Sequence, residues 1–384
     1  MITRSLARSI ESMLTKYPMV SVTGPRQSGK TTLAQQVRPD YQYINLEDPD
    51  QRLFAQSDPR GFLETYQNGV ILDEVQQAPS LFSYLQSYTD ARKRNGEYIL
   101  TGSQHFLLLE KITQSLAGRV ALFSLLPLSY AELKDSAFAP SNWVEYLYQG
   151  SYPRLLTNAI PPVQFYADYL QTYLERDVRQ IINVQNLTLF QRFMTLLSGR
   201  TGQLLNQQNL ALETGVDNKT VSAWLSVLEA SYIVYRLPPY HQNFSKRLIK
   251  SPKLYFYDTG LAAYLLGIRS ATEMNVHFAR GALFENLVIN ELMKNSHNRG
   301  ERPQFYFWND SQHHEIDLLA DVGIQRHAYE IKIGQTIQPA FFDGLRRFGK
   351  IAPDTILHLV YGGSMAQQRT GIQVHPFDEL IHLP

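Results

Sequence analysis

The front of the chain is predicted to be an α/β domain with a parallel sheet between two layers of helix, on three observations. The stretch Val20–Thr32, VSVTGPRQSGKTT, carries G-x-x-x-x-G-K-T from Gly24 to Thr31 directly after a short apolar run. Further apolar or β-branched runs begin near residues 41, 70, 98 and 120 and alternate with helical stretches, the order expected of strands joined by crossover helices. The run at 70, GVILDEV, closes on Asp73 and Glu74, an acidic pair where a nucleotide site needs one. Together they predict a three-layer α/β domain of the P-loop NTPase type over residues 1–135.

The chain has 384 residues, enough for two or three domains with separate cores. Its 44% apolar and 12% aromatic content argues against disorder. With 36 Lys and Arg against 35 Asp and Glu the net charge is +1, so nucleic-acid contact would need a local patch. There is no cysteine, which excludes disulfides and thiolate metal sites and suits a reducing cytoplasm. The N-terminus sets Arg4, Arg8 and Lys16 among Ile, Leu and Met but has no secretory apolar core, so a structural helix is expected there. Val120–Leu128, the least polar later run, is far shorter than the ~20 residues of a membrane-spanning helix and contains Pro127. A soluble, cytoplasmic protein without membrane contact is the expectation.

In the P-loop, Gly24 and Gly29 let the backbone curl, so that the N–H groups of Pro25-Arg26-Gln27-Ser28 and beyond surround phosphate oxygens, apart from Pro25, which has none. The helix that follows turns its positive dipole end to the same anion. Lys30 reaches the β and γ phosphates, Thr31 ligates Mg²⁺, and Thr32 completes the nucleotide-binding run. Tyr41–Leu46 reads as the second strand, followed by Glu47, Asp48 and a polar connection through Pro49, with helices over Gln51–Phe54 and Gly61–Tyr66. Asp73 would hold Mg²⁺ through water and Glu74 would act as general base. Tyr98–Leu100 is the next buried strand. The hydroxyls of Thr101 and Ser103 at its C-terminal end suit γ-phosphate sensing, while a helix N-cap leading into His105–Leu109 is an equal alternative. Arg119 in LAGRVALF is a candidate for offsetting transition-state charge in cis or from a neighbouring subunit of a homo-oligomer, against a purely structural arginine.

The ordered motifs GPRQSGKTTLA, YINLEDPD, ILDEVQ, YILTGSQ, SLAGRV and LPLSYAEL closely resemble the AAA-type ATPase domain at the front of the prokaryotic family AAA_14 plus DUF4143. YLYQGSYPRLL, YLQTYLERDV and SPKLYFYDTGLAAYLLG are similar to the DUF4143 part, which the resemblance extends over about 136–384. It implies ATP and Mg²⁺ as cofactors.

Pro127 and the polar SAFAPSN stretch mark a boundary, and residues 136–200 read as a helical linker region. Tyr166–Ile182 has helical spacing, and Glu175, Arg176 and Asp177 read either as a solvated face or as a contact for nucleotide or partner. Residues 201–260 have winged-helix patterning: helices over Leu205–Glu213 and Lys219–Ala230, a turn at Thr214–Asn218 containing Gly215, and a wing strand over Tyr232–Leu237. From Arg200 to Lys253 seven basic residues (200, 219, 236, 246, 247, 250, 253) face three acidic ones (213, 217, 229), giving 7 − 3 = +4. That excess permits phosphate contact. The outer face of the second helix, Ser222, Ser226 and Glu229, is poorly equipped to read bases, so DNA with weak sequence preference or a protein partner is expected.

Residues 261–384 are predicted to form a PD-(D/E)xK nuclease-like α/β domain. ARGALFENLVINEL is a helix carrying Glu285, and two strands carry Asp317 and Glu330-Ile331-Lys332. Glu330 and Lys332, two apart on a strand, share a face. The set Glu285, Asp317, Glu330 and Lys332 is the constellation of such nucleases, with a second divalent metal at Asp317 and Glu330 and a lysine that orients water. The alternative is a silent nuclease-like fold used as a switch or scaffold. Of His313 and His314, adjacent on a strand, at most one could join that metal.

Overall fold

The computed structural model describes residues 2–103, 115–174, 186–240, 251–310, 312 and 314–383. His105–Leu109, Glu175, Arg176, Asp177, the basic positions 246, 247 and 250, and His313 lie outside the described residues. Two compact units are formed, one of the chain up to Leu128 with two short later pieces, the other of nearly everything from Ser129 on.

The first unit is built on five parallel strands: β1 (Met19–Thr23), β2 (Gln42–Asn45), β3 (Val70–Asp73), β4 (Tyr98–Gly102) and β5 (Val120–Ser124), in spatial order β2-β3-β4-β1-β5. Because successive side chains leave a strand on opposite faces, each strand feeds two cores. Val20, Ile71 and Ile99 pack with Leu6, Ile10 and Leu33 on one face, and Met19, Leu72, Tyr98 and Leu100 pack with Phe62 and Phe82 on the other. The N-terminal segment forms the helix Ala7–Leu14, which buries Ile10 and Leu14. The expected polar connection through Pro49 is instead helical, since the next helix runs Pro49–Ser57. The Asp48 carboxylate caps it by accepting from the amide of Asp50 at 2.8 Å, and Pro49 at the first helical position gives up no hydrogen bond.

The second unit contains a six-stranded mixed sheet: β8 (Gln304–Asn309), β9 (Glu315–Val322), β10 (Gln325–Lys332), β11 (Ile356–Tyr361), β12 (Gln367–Arg369) and β13 (Ile372–Pro376). Its order is β12-β13-β11-β10-β9-β8, with β10, β11 and β13 parallel. The helix Asp343–Ile351 crosses from β10 to β11 and seats Leu345 and Phe348 against Ile316, Leu319 and Leu359. Earlier in this unit, helices Gln207–Thr214 and Asn218–Ala230 are separated by a turn whose Gly215 takes φ 85°. An antiparallel pair follows, β6 (Val234–Leu237) and β7 (Lys253–Phe256), and Lys253 also bridges to Leu204. The strand expected from Tyr232 begins at Val234, because Tyr232 sits at φ 57°. The helix expected over Tyr166–Ile182 runs Pro162–Tyr169 and passes into a π-helical turn, Leu170–Leu174.

Three histidines on neighbouring parallel strands form a chain. His327 Nδ1 lies 3.0 Å from His358 Nε2, His358 Nδ1 lies 3.2 Å from His375 Nε2, and His375 Nδ1 is 3.6 Å from Glu379. A Glu379 carboxylate makes each Nδ1 the donor and each Nε2 the acceptor, one tautomer along the whole row. Burial, reinforced by the neighbouring histidines, pushes His358 down to about 3, and burial also lowers His327 and His375. Folded-state values below the unfolded one make this contribution complete above about pH 6.5 and progressively lost as pH falls. The cost from His358 alone reaches about 2 kcal/mol at about pH 5. His358→Asn is therefore expected to gain stability relative to the native chain as pH falls from about 7 to 5, read as the urea midpoints of the two proteins against pH. Equal slopes for the two proteins would refute the assignment.

Candidate functional site

The P-loop leaves the C-terminal end of β1. Gly24 takes φ 149°, and a Cβ there would stand 2.1 Å from the carbonyl oxygen of Leu125, so only glycine fits. Gly29, at φ 91°, opens the helix Lys30–Val37. Buried Lys30 folds back over the loop and donates to the carbonyls of Gly24 at 3.0 Å and Pro25 at 2.8 Å. Burial lowers its pKa, against the opposing charges of Glu74 and Asp73. The buried hydroxyl of Ser28 has no hydrogen-bond partner among the described residues, and Gln27 holds φ 62°. An unmet buried donor and a loop of strained backbone fit an anion that this cradle was shaped for. Arg26 approaches Glu47 at 4.0 Å, and Thr32 is exposed on the helix. Arg4 donates to the carbonyls of Ser28 at 2.7 Å and Leu126 at 2.6 Å, holding the loop from behind.

Sheet register brings the acidic pair to the same place. Leu72 pairs with Leu100, so Asp73 stands beside Thr101, and β4 lies next to β1. Asp73 Oδ2 accepts from Thr31 Oγ1 and from the Tyr43 hydroxyl, each at 2.8 Å, while Oδ1 accepts from Thr101. Glu74 occupies the left-handed region, φ 52° and ψ 46°, a costly conformation for a residue with a side chain. Its Oε2 accepts from the Ser103 amide at 3.3 Å and hydroxyl at 3.0 Å, and from Gln76. Thr101 and Ser103 thus touch the two carboxylates. Tyr43 and Gln76 stand inside the motifs YINLEDPD and ILDEVQ, where spacing assigns them no role, and Arg4 lies outside any motif.

Arg119 is not brought to this site. Met19 pairs with Val120, so Arg119 lies at the start of β5, at the edge of the sheet opposite the P-loop. Its guanidinium forms a bidentate pair with Asp90 at 2.6 and 2.8 Å. Four residues of strand, about 13 Å, separate the two edges, which removes a role in cis.

In the second unit the four polar residues expected together do meet. Glu285 projects from the helix Arg280–Asn298. Asp317 Oδ2 accepts from the amide of Ile331 at 2.7 Å and lies 3.8 Å from Lys332 Nζ, which is 2.6 Å from Glu330. Three more residues join them. Lys253 and Tyr255 share one face of β7: Lys253 pairs with Glu285 at 3.3 Å and with Glu315, and Tyr255 donates to Glu285 at 2.6 Å. Period-two alternation in SPKLYFY could have exposed this pair.

Burial, then the charge of Asp317, raises Glu285 to about 7 although Lys253 is beside it, and the same two causes raise Glu330 to about 8. For both lysines burial is outweighed by the neighbouring carboxylates, which lift them above the ordinary lysine value. The second metal expected at Asp317 and Glu330 does not fit this arrangement, since no group of three His, Asp or Glu among the described residues is placed to hold an ion. Two ammonium groups stand among the carboxylates instead. Nor does His314 extend the cluster, because its ring faces Asp310 at 3.2 Å.

A family model for an AAA domain matches residues 16–134. Two models for domains of unknown function follow it, DUF8612 at 140–272 and DUF4143 at 280–380. The uncharacterized protein Rv2008c of Mycobacterium tuberculosis is 31% identical over 348 residues, covering 89% of this chain and 76% of its own. An uncharacterized protein of Haemophilus influenzae is 21% identical over 306 residues, 71% of this chain and 74% of its own. Among solved structures, the Walker-type ATPase PABY2304 of Pyrococcus abyssi has a TM-score of 0.45 at 17% identity, covering 68% of this chain and 94% of its own. The RuvB Holliday junction branch migration motor of Thermotoga maritima has a TM-score of 0.32 at 16% identity, covering 62% and 90%.

The first unit is an AAA-type P-loop ATPase-like domain. The chain belongs to the family that joins such a domain, AAA_14, to a DUF4143 domain. No helix among the described residues is long and apolar enough to cross a membrane.

Gly24→Ala is expected to destabilise the first unit by about 1–3 kcal/mol and to abolish nucleotide binding, because the new methyl displaces either Leu125 or the loop. Thermal unfolding with and without nucleotide checks this. Wild-type binding by the variant would refute the close-approach argument.

Proposed function

We propose that this chain is a Mg²⁺-dependent ATP hydrolase that couples its nucleotide cycle to a DNA-contacting, nuclease-like C-terminal region. One observation carries the ATPase reading: Lys30 and Thr31 of the P-loop and Asp73, 42 positions beyond Thr31, stand around a single cradle, with Thr31 and Asp73 already hydrogen-bonded to each other. Thr31 and Asp73 would hold Mg²⁺, which supplies neutralising charge to the phosphates. Lys30, now spent on two loop carbonyls, is free to exchange them for β and γ oxygens. Glu74 polarises the attacking water as general base, and its strained backbone together with Ser103 fixes where its carboxylate points. Exchange of Ser103 from the carboxylate to a phosphate oxygen is how an occupied site would be sensed.

The DNA-contacting reading is supported by the helix pair around Gly215 followed by the β6–β7 hairpin, a winged-helix order. Its local charge is less available than composition suggests. Arg200 pairs with Glu213, Arg236 with Glu229, and Lys253 is buried. Exposed Ser222 and Ser226 on the outer helix face suit backbone contact rather than base reading. A second reading, a nucleotide-dependent switch or scaffold whose nuclease-like fold cuts nothing and binds a protein partner, is favoured by the lysines filling the carboxylate cluster.

Lys30→Ala is expected to lose ATP binding, and Glu74→Gln to bind ATP while turnover falls on the order of 100-fold or more. Undiminished turnover by Glu74→Gln would remove the base assignment. Incubation of plasmid and single-stranded DNA with Mn²⁺ or Mg²⁺, with and without ATP, separates the two readings of the C-terminal region. Cleavage that Lys332→Ala abolishes supports the nuclease, and intact DNA in every condition supports the switch.

A further inference from the structure

The carboxylate cluster holds one group that the nuclease constellation does not call for. Lys253 enters from β7, outside the six-stranded sheet, and its ammonium lies against Glu285 at 3.3 Å and Glu315, with Asp317 among the charges acting on it. The residue is only 6% exposed, and the Phe307 ring lies over the ammonium at 5.6 Å. Its backbone is held on both sides, by pairing with Leu237 of β6 and by the bridge to Leu204. Gly202, whose amide donates to the Leu254 carbonyl at 2.8 Å, closes over Glu285, where even a Cβ would approach Oε1 to 3.6 Å. Lys253 is therefore built in, unlike a flexible surface lysine that happens to find a carboxylate.

We infer that the Lys253 ammonium is the resident cation of the Glu285–Glu315–Asp317 cluster, filling with a side chain the position a divalent ion takes in metal-dependent carboxylate sites. The geometry is exclusive. A divalent cation draws carboxylate oxygens to about 2.0–2.6 Å of itself and of each other's reach, whereas an ammonium keeps them at hydrogen-bond distance and occupies the centre. Lys332, 3.8 Å from Asp317, pairs with Glu330 at 2.6 Å. The native C-terminal region accordingly takes up no metal at these carboxylates, whose charge a lysine already meets. The inference rests on reading this cluster as nuclease-like, and neither ATP turnover nor DNA binding enters its test.

The measurement is Mn²⁺ binding to the nucleotide-free, full-length protein, followed by the spin-resonance signal of the free ion. Asp317→Asn is expected to leave the Mn²⁺ stoichiometry of the native chain unchanged. Lys253→Met is expected to gain one Mn²⁺ per chain, and Lys253→Met with Asp317→Asn to lose that gain. A native chain that gives up one Mn²⁺ on Asp317→Asn overturns the inference, as does a folded Lys253→Met protein that gains none. If Lys253→Met does not fold, Lys253→Arg keeps the charge and is expected to show the native stoichiometry, and the native against Asp317→Asn comparison decides alone.

Discussion

A charge removed from water has to be met by opposite charge or by hydrogen bonds, and both candidate sites of this chain are shaped by that requirement. In the first unit Lys30 is buried and finds two carbonyls, and Asp73 finds three hydroxyls, from Thr31, Tyr43 and Thr101. In the second unit Glu285, Glu315, Asp317 and Glu330 are compensated by Lys253 and Lys332. The two solutions differ in kind. Hydroxyls and carbonyls can exchange partners at little cost, which suits a site that fills and empties. A buried ion pair resists such exchange, because removing one partner strands the other, at a cost of about 3–5 kcal/mol.

Parallel register gives the first site its precision. Neighbouring strands β3, β4 and β1 reach their C-terminal ends at one level, so residues from three separated stretches arrive within hydrogen-bond distance. The same register carries Arg119 away: it precedes β5, and what precedes a strand in this sheet lies at the wrong edge. Its nearness in sequence to the ligand-side hydroxyls of Thr101 and Ser103 says nothing of which edge it occupies. The left-handed backbone at Glu74 adds strain at the carboxylate that accepts from the Ser103 amide and hydroxyl.

The segment between the two sites shows why a count of charges overstates a binding surface. Positions 200, 236 and 253 contribute three of the seven basic residues, yet two sit in ion pairs with acids of the same segment and the third is enclosed. Contacts of this kind hold helix to helix and helix to strand, and leave less field for a nucleic-acid backbone. The aromatic set Phe190, Phe193 and Trp224, with ring centroids 5.2–5.3 Å apart across the helices, supplies the apolar half of the same packing.

The sequence by itself determined the five strands of the first unit and their order with helices, the P-loop, the Asp73–Glu74 pair, and the set Glu285, Asp317, Glu330 and Lys332. These are legible because backbone demands and strand alternation act over a few residues: glycine where φ is positive, period two where one strand face is polar. Tertiary structure alone decided what completes each site. Tyr43 reaches Asp73 from an edge strand, Arg4 reaches Ser28 across 24 positions, and Lys253 reaches Glu285 from a hairpin, all partnerships without local spacing. It also moved Arg119 to Asp90 and put lysines where a metal was expected. Apart from the exposed Arg119–Asp90 pair, the physical reason is common: a buried charge takes whichever partner the packing brings within reach, and no neighbourhood in sequence records that distance.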